Sequence, residues 1–326
     1  LCYAYMYCAD HENINSITIQ ITYCNLETEE IRRLKQDKTR EELEEWFQGL
    51  IHEYVKWANY LYEHELRRDA SLKDLQFPFP YRPGQRELAV SVYKAIAREK
   101  NLFIQAPTGV GKTLSTVFPA VKAMGEQMAD KVFYLTAKSI TRTVAEEAFR
   151  ILREHGMYLN TVAITAKEKL CFLEEISCNP DDCPYGRGHF DRVNDAVYEI
   201  IHTEQGIGRE EILRYAREYR VCPFEFCLDI SNWVDGVICD YNYVFDPHVR
   251  LKRYFSEGVS GNYLFLVDEA HNLVSRGREM YSAFLIKEDV LTAKKILKGH
   301  RKLTRAFEKV NRLLLEMKRE ADGYQI

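Results

Sequence analysis

Two short motifs, each preceded by an apolar run, constrain the fold of this chain more than any other feature. Residues 106–113 read Ala-Pro-Thr-Gly-Val-Gly-Lys-Thr and follow Asn-Leu-Phe-Ile-Gln at 101–105. Asp-Glu-Ala-His at 268–271 follows Tyr-Leu-Phe-Leu-Val at 263–267. A glycine-rich turn between a strand and a helix lets backbone N–H groups surround phosphates. In an acidic pair after a second buried strand, one carboxylate can bind Mg²⁺ and the other can polarise an attacking water. The two motifs together predict a nucleoside triphosphatase.

Each residue type in these motifs has an expected role. The loop residues expected to contact the nucleotide are Ala106, Pro107, Thr108, Gly109, Val110, Gly111, Lys112 and Thr113. Lys112 is expected to reach the β- and γ-phosphates, and the Thr113 hydroxyl to bind Mg²⁺. Asp268 is expected to hold the same Mg²⁺, and Glu269 to polarise the attacking water. Lys112, Asp268 and Glu269 are therefore the predicted catalytic residues.

Composition and charge set broad limits on the class of protein. The chain has 326 residues, 46% hydrophobic and 29% charged, which is ordinary for a globular protein of one large or two to three small domains. Its net charge of −4 neither favours nor excludes nucleic acid, because a local basic groove matters more than the total. No apolar run approaches the roughly 20 residues of a membrane span, so no membrane contact is expected. The chain opens at Leu1 without a methionine, which suggests a fragment.

Periodicity divides the chain into five segments. They are an N-terminal segment (1–76), a strand-and-helix segment with the phosphate loop (77–165), a cysteine-containing insertion (166–235), a second strand-and-helix segment with the acidic motif (236–275) and a helical, basic-rich segment (276–326). Strands are predicted at 131–136, 161–165, 236–239 and 263–267, and helices at 84–99, 113–128 and 141–154. Strands that alternate with helices in this way predict a parallel sheet with crossover connections.

The N-terminal segment differs from the rest. Residues 16–23 alternate as a half-buried strand does, and residues 28–68 read as a long charged helix or a pair of helices. Six apolar residues lie at helical spacing and are predicted to pack in a core: Trp46, Phe47, Leu50, Ile51, Tyr54 and Trp57. The proline-rich run at 77–83 predicts a boundary.

The insertion contains five of the nine cysteines. It has little predicted apolar core, so a bound metal is expected to stabilise its fold. Four thiolates suit zinc or an iron–sulfur cluster, and the lack of paired C-x₂-C knuckles favours iron–sulfur. The predicted ligands are Cys171, Cys178, Cys183 and Cys222, with Cys227 as an alternative to Cys222. The other reading is that these are free, partly buried thiols.

The order of phosphate loop, four-cysteine insertion and Asp-Glu-Ala-His resembles the XPD/DinG-like iron–sulfur helicases of superfamily 2. The resemblance covers about residues 80–326 and also involves Lys169-Leu-Cys171, Cys222-Pro-Phe224 and Asp240-Tyr-Asn-Tyr243. It implies an α/β, RecA-like motor domain with a helical insertion that holds a [4Fe–4S] cluster, followed by the start of an arch domain. It also implies ATP and Mg²⁺ as cofactors, and ATP-driven 5′→3′ translocation on single-stranded DNA with duplex unwinding, in repair or replication.

The same resemblance implies further site residues. Gln85 in Tyr81-Arg-Pro-Gly-Gln85 resembles the residue that reads adenine, and Lys138 resembles a contact to the DNA backbone. Tyr241 and Asn242 are expected at the DNA, although the alternative for the tyrosine is packing. His271 beside Glu269 is expected to couple the nucleotide state to DNA. The expected partners are single-stranded DNA and DNA junctions, and the expected location is the bacterial cytoplasm, near the nucleoid.

Two further expectations concern what lies outside the printed residues. The family has a second RecA-like domain that supplies arginine fingers, so this chain alone is expected to hydrolyse ATP very slowly. A helix at 1–8 followed by the strand at 16–23 resembles the end of a RecB/Cas4-type PD-(D/E)XK nuclease module. No nuclease activity is expected here, because the metal-binding residues of such a module would lie upstream of Leu1.

Two other functions stay open. The chain could be a zinc-containing ATPase that remodels protein or RNA partners without unwinding, or a DNA-binding scaffold with a decayed phosphate loop. Intact Lys112, Thr113, Asp268 and Glu269 argue against the scaffold.

Overall fold

A five-stranded parallel sheet lies at the centre of the chain. In the computed structural model, which describes residues 1–107, 109–137, 139–297 and 299–320, the strands are β1 (Ser16–Cys24), β2 (Ile31–Thr39), β3 (Lys131–Thr136), β4 (Thr161–Ala163), β5 (Gly206–Ile207), β6 (Gly236–Asp240) and β7 (Tyr263–Val267). The sheet order is β5-β4-β6-β3-β7 with parallel pairing throughout, and β1 and β2 form a separate antiparallel hairpin. The predicted α/β, RecA-like parallel sheet is confirmed.

Helices connect these strands. They are α1 (Cys2–Asp10), α2 (Arg40–Asp74), α3 (Gln85–Ala97), α4 (Lys112–Gly125), α5 (Ser139–Glu154), α6 (Lys167–Leu170), α7 (His189–Thr203), α8 (Arg209–Glu218), α9 (Pro223–Ile230), α10 (Asn242–Phe245), α11 (Lys252–Phe255), α12 (Leu273–Met280), α13 (Lys287–Ile296) and α14 (Arg301–Glu320). None of the described helices is long and apolar enough to cross a membrane.

The chain divides into two compact units. The first contains Leu1–Asp240 and Ser260–Asp268, and the second contains Tyr241–Val259 and the chain from Glu269 onward. Within the second unit, α13 and α14 form a helical hairpin in which Lys294 and Glu308 make an ion pair of 2.9 Å. Residues 1–76, predicted as an N-terminal segment, lie in the first unit.

The strand predicted at 101–105 before the phosphate loop is not formed. These residues have no regular secondary structure, and Phe103 is 92% exposed. An apolar run indicates a tendency toward burial, whereas a strand also needs a hydrogen-bonded neighbour. The prediction was therefore wrong for this segment, while the strands β3 and β7 have the predicted bounds.

The hairpin and the long helix correct the reading of residues 28–68. The residues of β2 were predicted as helix, because charged side chains occupy most of its positions and no alternation of apolar and polar residues is visible. It pairs with β1 through a turn in which the Asn25 side chain accepts the N–H groups of Glu27 and Thr28. Helix α2 starts after Thr39. The side chains of Thr39 and Glu42 each accept the backbone N–H of the other residue and so form a capping box. This capping signal is present in the sequence.

Helix α2 packs unevenly along its 35 residues. Near its C-terminus, Leu72 joins the main core together with residues of α4, α5 and the sheet. In its first half, Leu50, Ile51 and Tyr54 are exposed, which contradicts the predicted core packing of these three residues. Trp57 packs against Trp233 with ring centroids 4.2 Å apart. Of the six apolar residues predicted to pack in a core, Trp57 therefore packs against the motor domain, whereas Leu50, Ile51 and Tyr54 do not.

A buried polar cluster joins α2 to the start of β6. The Asp235 carboxylate accepts hydrogen bonds from His64 Nε2 at 2.8 Å, Arg68 Nη1 at 3.0 Å and the Asn160 backbone N–H at 2.9 Å. Burial by itself raises the pKa of Asp235, but these donors hold the pKa below its ordinary value. The N-terminal helix is thus an integral part of the motor domain.

The insertion has more core than the sequence suggested. Its strand β5 extends the main sheet beside β4, and α7, α8 and α9 bury apolar residues such as Ile200, Ile212 and Phe226. The expectation that this segment has little core of its own was wrong, since its apolar residues are separated in sequence and meet only when the three helices pack. A metal is therefore not needed to explain the helical part of its fold.

Candidate nucleotide and cysteine sites

The phosphate loop ends at the N-terminus of α4. Gly109 and Gly111 have φ angles of +85° and +74°, a region that favours glycine, and Gly111 is the N-cap of the helix. Helix N-termini present free N–H groups and a partial positive charge, which together bind phosphate. Lys112 is the first helical residue, and its Nζ donates to the Ala106 carbonyl oxygen at 3.1 Å. Thr113 follows and is half-buried, while Thr108 lies outside the described residues.

Gln85 lies directly against this loop. Its Oε1 accepts the backbone N–H of Arg82 at 3.0 Å, and a Cβ added to Gly111 would lie 2.6 Å from its Nε2. Arg82 in turn donates from Nη1 to the Gly109 carbonyl oxygen at 2.7 Å. The structure therefore brings the predicted adenine-reading residue and the phosphate loop together. Arg82 was not predicted as a site residue, although it lies within the quoted motif.

An aromatic cluster adjoins Gln85. The rings of Phe77 and Tyr81 stack with centroids 4.3 Å apart, and Phe77 also meets the edge of Phe118 on α4 at 5.4 Å. Burial raises the pKa of the Tyr81 hydroxyl above its ordinary value. Tyr81 is still 40% exposed, so its ring is accessible beside the loop.

The acidic motif follows β7. The Asp268 backbone N–H donates to the Leu135 carbonyl oxygen at 3.0 Å, which extends the pairing of β7 with β3 and positions Asp268 at the carboxyl end of the sheet. Glu269 has a φ of +50°, an uncommon conformation for a residue other than glycine. The Nδ1 of His271 lies 3.5 Å from Glu269 Oε2. Backbone strain of this kind often occurs at functional sites, and the coupling role of His271 stays a prediction.

The predicted DNA contacts have different outcomes. Lys138 lies outside the described residues. Tyr241 is fully buried, so its ring is not available to stack on a base in this structure, and its burial favours the packing alternative. Asn242 begins α10 and is half-buried.

The structure groups the insertion cysteines only in part. Burial raises the pKa of the Cys222 thiol, and the nearby Cys183 thiol adds to this rise, while backbone N–H groups of the following residues oppose it. A hydrogen bond to Cys178 raises the pKa of Lys167, and Cys222 contributes as well. The Sγ of Cys183 accepts the N–H of Gly186 at 3.3 Å. Cys183 therefore lies near Cys222, and Lys167 lies near both Cys178 and Cys222.

The segment that follows Cys171 contacts the segment that follows Cys183. Phe172 packs against Tyr185, two residues after Cys183, with ring centroids 4.6 Å apart. Within the described parts of the chain, no three candidate ligands are close enough to hold a metal ion. The four thiols nevertheless fit an iron–sulfur group in chemistry, since they are soft donors and two receive backbone N–H hydrogen bonds.

Cys227 lies elsewhere. It is fully buried, its Sγ is 4.0 Å from the Ala163 carbonyl oxygen, and it influences the pKa of Cys239 in β6. This position on the sheet side of α9 favours Cys222 over Cys227 as the fourth ligand.

Comparison with known proteins supports a helicase family. The DEAD/DEAH box helicase model matches residues 83–179, and the DEAD_2 model matches residues 155–290. The regulator of telomere elongation helicase 1 homolog of Anopheles gambiae is 20% identical over 273 residues, which cover 67% of this chain and 27% of that protein. The general transcription and DNA repair factor IIH helicase subunit XPD of Dictyostelium discoideum is 22% identical over 233 residues, which cover 62% of this chain and 30% of that protein.

Two solved structures also match part of the chain at low identity. A structure titled XPD helicase is 17% identical with a TM-score of 0.48, and the match covers 71% of this chain and 40% of the other. A truncated XPD is 18% identical with a TM-score of 0.48 and coverage of 68% and 64%. Both curated relatives named above come from eukaryotes, so they do not support the expected bacterial origin.

This chain therefore spans about a quarter to a third of the length of these curated relatives. The two family models overlap and together reach from residue 83 to residue 290, and this range includes the phosphate loop, the cysteine insertion and the acidic motif. Over this range the chain is similar to XPD-like superfamily 2 helicases.

Proposed function

We propose that this chain provides the nucleotide-binding motor domain of an ATP-dependent DNA helicase that moves 5′→3′ on single-stranded DNA. The observation that carries the proposal is the contact of Gln85 with Gly111 beside Lys112, which joins an adenine-reading side chain to a phosphate-binding helix N-terminus. The direction of movement and a role at DNA junctions, in repair or replication, rest on the family resemblance. The two named relatives are called a telomere elongation regulator and a DNA repair factor subunit.

The residue roles follow from their positions. Lys112 and the free N–H groups at the start of α4 bind the phosphates, and Gln85 holds the adenine side of the nucleotide. Thr113 and Asp268 hold Mg²⁺, which neutralises charge on the phosphates when it is bound. Glu269 orients the attacking water, and His271 relays the occupancy of the site. Lys138 and Asn242 remain proposed DNA contacts.

The test of the nucleotide site is Lys112→Ala. Removing hydrogen bonds to charged phosphates should weaken ATP binding by on the order of 10²-fold, while the far-UV circular dichroism stays unchanged. Binding of a fluorescent ATP analogue measures this affinity. Lys94→Ala, which removes an exposed lysine on α3, is the matched control and should bind as the wild type does. If Lys112→Ala and Lys94→Ala bind the ATP analogue with equal affinity, the assignment of Lys112 to the nucleotide site is wrong.

We further propose that Cys171, Cys178, Cys183 and Cys222 hold a [4Fe–4S] cluster. Support comes from the soft donor chemistry of the four thiols and from the backbone N–H groups that donate to Cys183 and Cys222. A zinc-containing ATPase that remodels protein or RNA is the second candidate, since zinc also binds four thiolates.

An absorption spectrum with iron and sulfide analysis on anaerobically purified protein separates these candidates. We expect a shoulder near ~400 nm and about four irons per chain. Cys222→Ser should remove the absorbance, whereas Cys227→Ser should retain it because Cys227 lies on the sheet side of α9. A colourless wild type with one zinc would support the remodelling ATPase instead.

A further inference from the structure

Helix α2 contacts both the helix that follows the phosphate loop and the cysteine-containing insertion. It consists of Arg40–Asp74, whereas the DEAD/DEAH box helicase model begins at residue 83. The segments that it contacts all belong to the first unit. Neither the proposed nucleotide site nor the proposed cluster site uses a side chain of α2, so these contacts need an explanation of their own.

The C-terminal end of α2 is held by α4. The Nζ of Lys122 donates to the carbonyl oxygens of Leu72 at 2.9 Å and Lys73 at 2.6 Å. Carbonyl groups in the last turn of a helix lack partners within the helix and carry a partial negative charge, so they bind a cation well. Gly125 lies so close that an added Cβ would be 2.6 Å from the Leu72 Cβ. Helix α4 begins at Lys112, so the helix whose N-terminus forms the proposed phosphate site also holds the end of α2.

The middle of α2 contacts the insertion through aromatic side chains. The ring of Trp57 lies 4.2 Å from that of Trp233, between α9 and β6, and meets Tyr198 of α7 edge-on at 5.1 Å. The hydroxyl of Tyr60, a side chain that is 6% exposed, donates to the Ile201 carbonyl oxygen in α7 at 3.4 Å. The helix that α4 holds at one end therefore lies against two parts of the insertion.

Asn160, directly before β4, adds the sheet to this contact. Its Nδ2 donates to the Tyr60 hydroxyl at 3.1 Å and to the Ile201 carbonyl oxygen at 3.0 Å. Asn160 is 1% exposed, so water does not replace these hydrogen bonds when they break. Movement of α2 away from α7 would leave buried polar groups without partners, which is unfavourable. The positions of α2 and α7 are therefore linked.

The part of α2 between its two contacts is a continuous helix. From Tyr60 to Leu72 it extends roughly 18 Å at ~1.5 Å per residue. This stretch contains neither glycine nor proline, the residues at which helices commonly bend. A displacement of the last turn of α2 therefore also displaces Trp57 and Tyr60.

We propose that α2 transmits the occupancy of the nucleotide site from α4 to the cysteine-containing insertion, with Lys122 and Tyr60 as positioning residues at its two contacts. The proposal rests on the nucleotide site proposed above. A nucleotide at the N-terminus of α4 stabilises that helix, and the contact with Lys122 extends this stabilisation to α2. The docked α2 in turn favours the packed position of α7. Because such coupling is reciprocal, the state of the insertion also changes the nucleotide affinity.

Tryptophan fluorescence reports on this contact, because Trp57 and Trp233 are two of the three tryptophans of the chain. Trp46→Phe removes the third, so that the emission comes from the contact alone. We expect a non-hydrolysable ATP analogue with Mg²⁺ to change this emission in the full 326-residue chain, with the midpoint at its dissociation constant. Hydrogen exchange of the amides of α7, measured by mass spectrometry, should slow by about fivefold or more in the same titration.

Two variants interrupt the link at its two contacts. Lys122→Met keeps the apolar stem of the side chain but removes the donor to α2, and we expect it to abolish both responses. Tyr60→Phe removes only a hydroxyl, and we expect it to abolish at least half of the change in exchange of α7. Both should bind the analogue within about fivefold of the wild type, since the coupling factor limits the change. Lys73→Ala removes an exposed side chain, leaves its carbonyl oxygen in place and should respond as the wild type does.

Each result has a separate meaning. A Trp46→Phe protein that does not bind the analogue would contradict the nucleotide site itself. Binding without a change in emission or in exchange would leave the site intact and contradict the link through α2. Responses that persist in both Lys122→Met and Tyr60→Phe would also overturn the link, because the nucleotide would then act on the insertion by another route. Unchanged far-UV circular dichroism of the variants shows that a lost response does not come from unfolding.

Discussion

At the scale of single residues, the nucleotide site depends on glycines that let other groups approach. Gly111 combines a φ of +74° with a near contact to Gln85 Nε2, so both its conformation and its lack of a side chain are required. Gly111 turns the chain into α4, so that Lys112 is the first helical residue of the proposed phosphate site. The sequence motif identifies these glycines, but the packing of Gln85 on the loop is visible only in the structure.

We predict that Gly111→Ala lowers nucleotide affinity by about tenfold or more. A left-handed conformation is unfavourable by ~1–2 kcal/mol for alanine, and the added Cβ also displaces Gln85. Titration with a fluorescent ATP analogue measures the effect. Gly49→Ala is the control, because an added Cβ there has no neighbour within 4 Å and should stabilise α2 by ~0.5–1 kcal/mol. Normal nucleotide affinity in Gly111→Ala would show that the loop adapts.

At the scale of elements, α2 changes character along its length. Its first half follows the hairpin and leaves apolar residues exposed, whereas its second half contributes Leu72 and the buried His64–Arg68–Asp235 cluster to the motor domain. The family model begins only at residue 83, so this helix lies before it. Helix α2 therefore supports the sheet, although the predicted boundary at residue 76 placed it in a separate segment.

We predict that Leu72→Ala lowers the free energy of unfolding by about 2–5 kcal/mol, because it leaves a cavity in the main core. Leu66→Ala, on the same helix, changes a side chain that is 56% exposed and should shift stability by less than ~0.5 kcal/mol. Chemical denaturation followed by tryptophan fluorescence compares the two. Similar small losses in both variants would mean that α2 is peripheral to the motor domain.

At the scale of the whole molecule, the chain contains one phosphate loop, and one parallel sheet occurs in the described residues. Its curated relatives are three to four times longer than the stretch that it matches. Completion of an ATP site by an arginine from a second domain is worth on the order of 10³–10⁵ in rate. We therefore expect nucleotide binding and rapid hydrolysis to depend on different parts of a complete ATP site.

We predict that residues 1–326 alone bind ATP but turn it over at least ~10³-fold more slowly than a full-length relative, even with single-stranded DNA present. A phosphate-release assay checks this, with Lys112→Ala as the background control. Turnover at the rate of the full-length relative would contradict the need for a second domain.

The parallel sheet, the glycine-rich loop before α4 and the acidic motif after β7 could be predicted from the sequence, because glycine conformations and apolar periodicity are local properties. It did not determine β2, since cross-strand pairing with β1 outweighs a helix-like charge pattern. It left Cys222 and Cys227 as alternatives, and only the packing of α9 turns Cys227 toward the sheet. The packing of α2 against the motor domain also depends on tertiary structure, because the hydrogen bond between His64 and Asp235 joins residues that are 171 positions apart in the sequence.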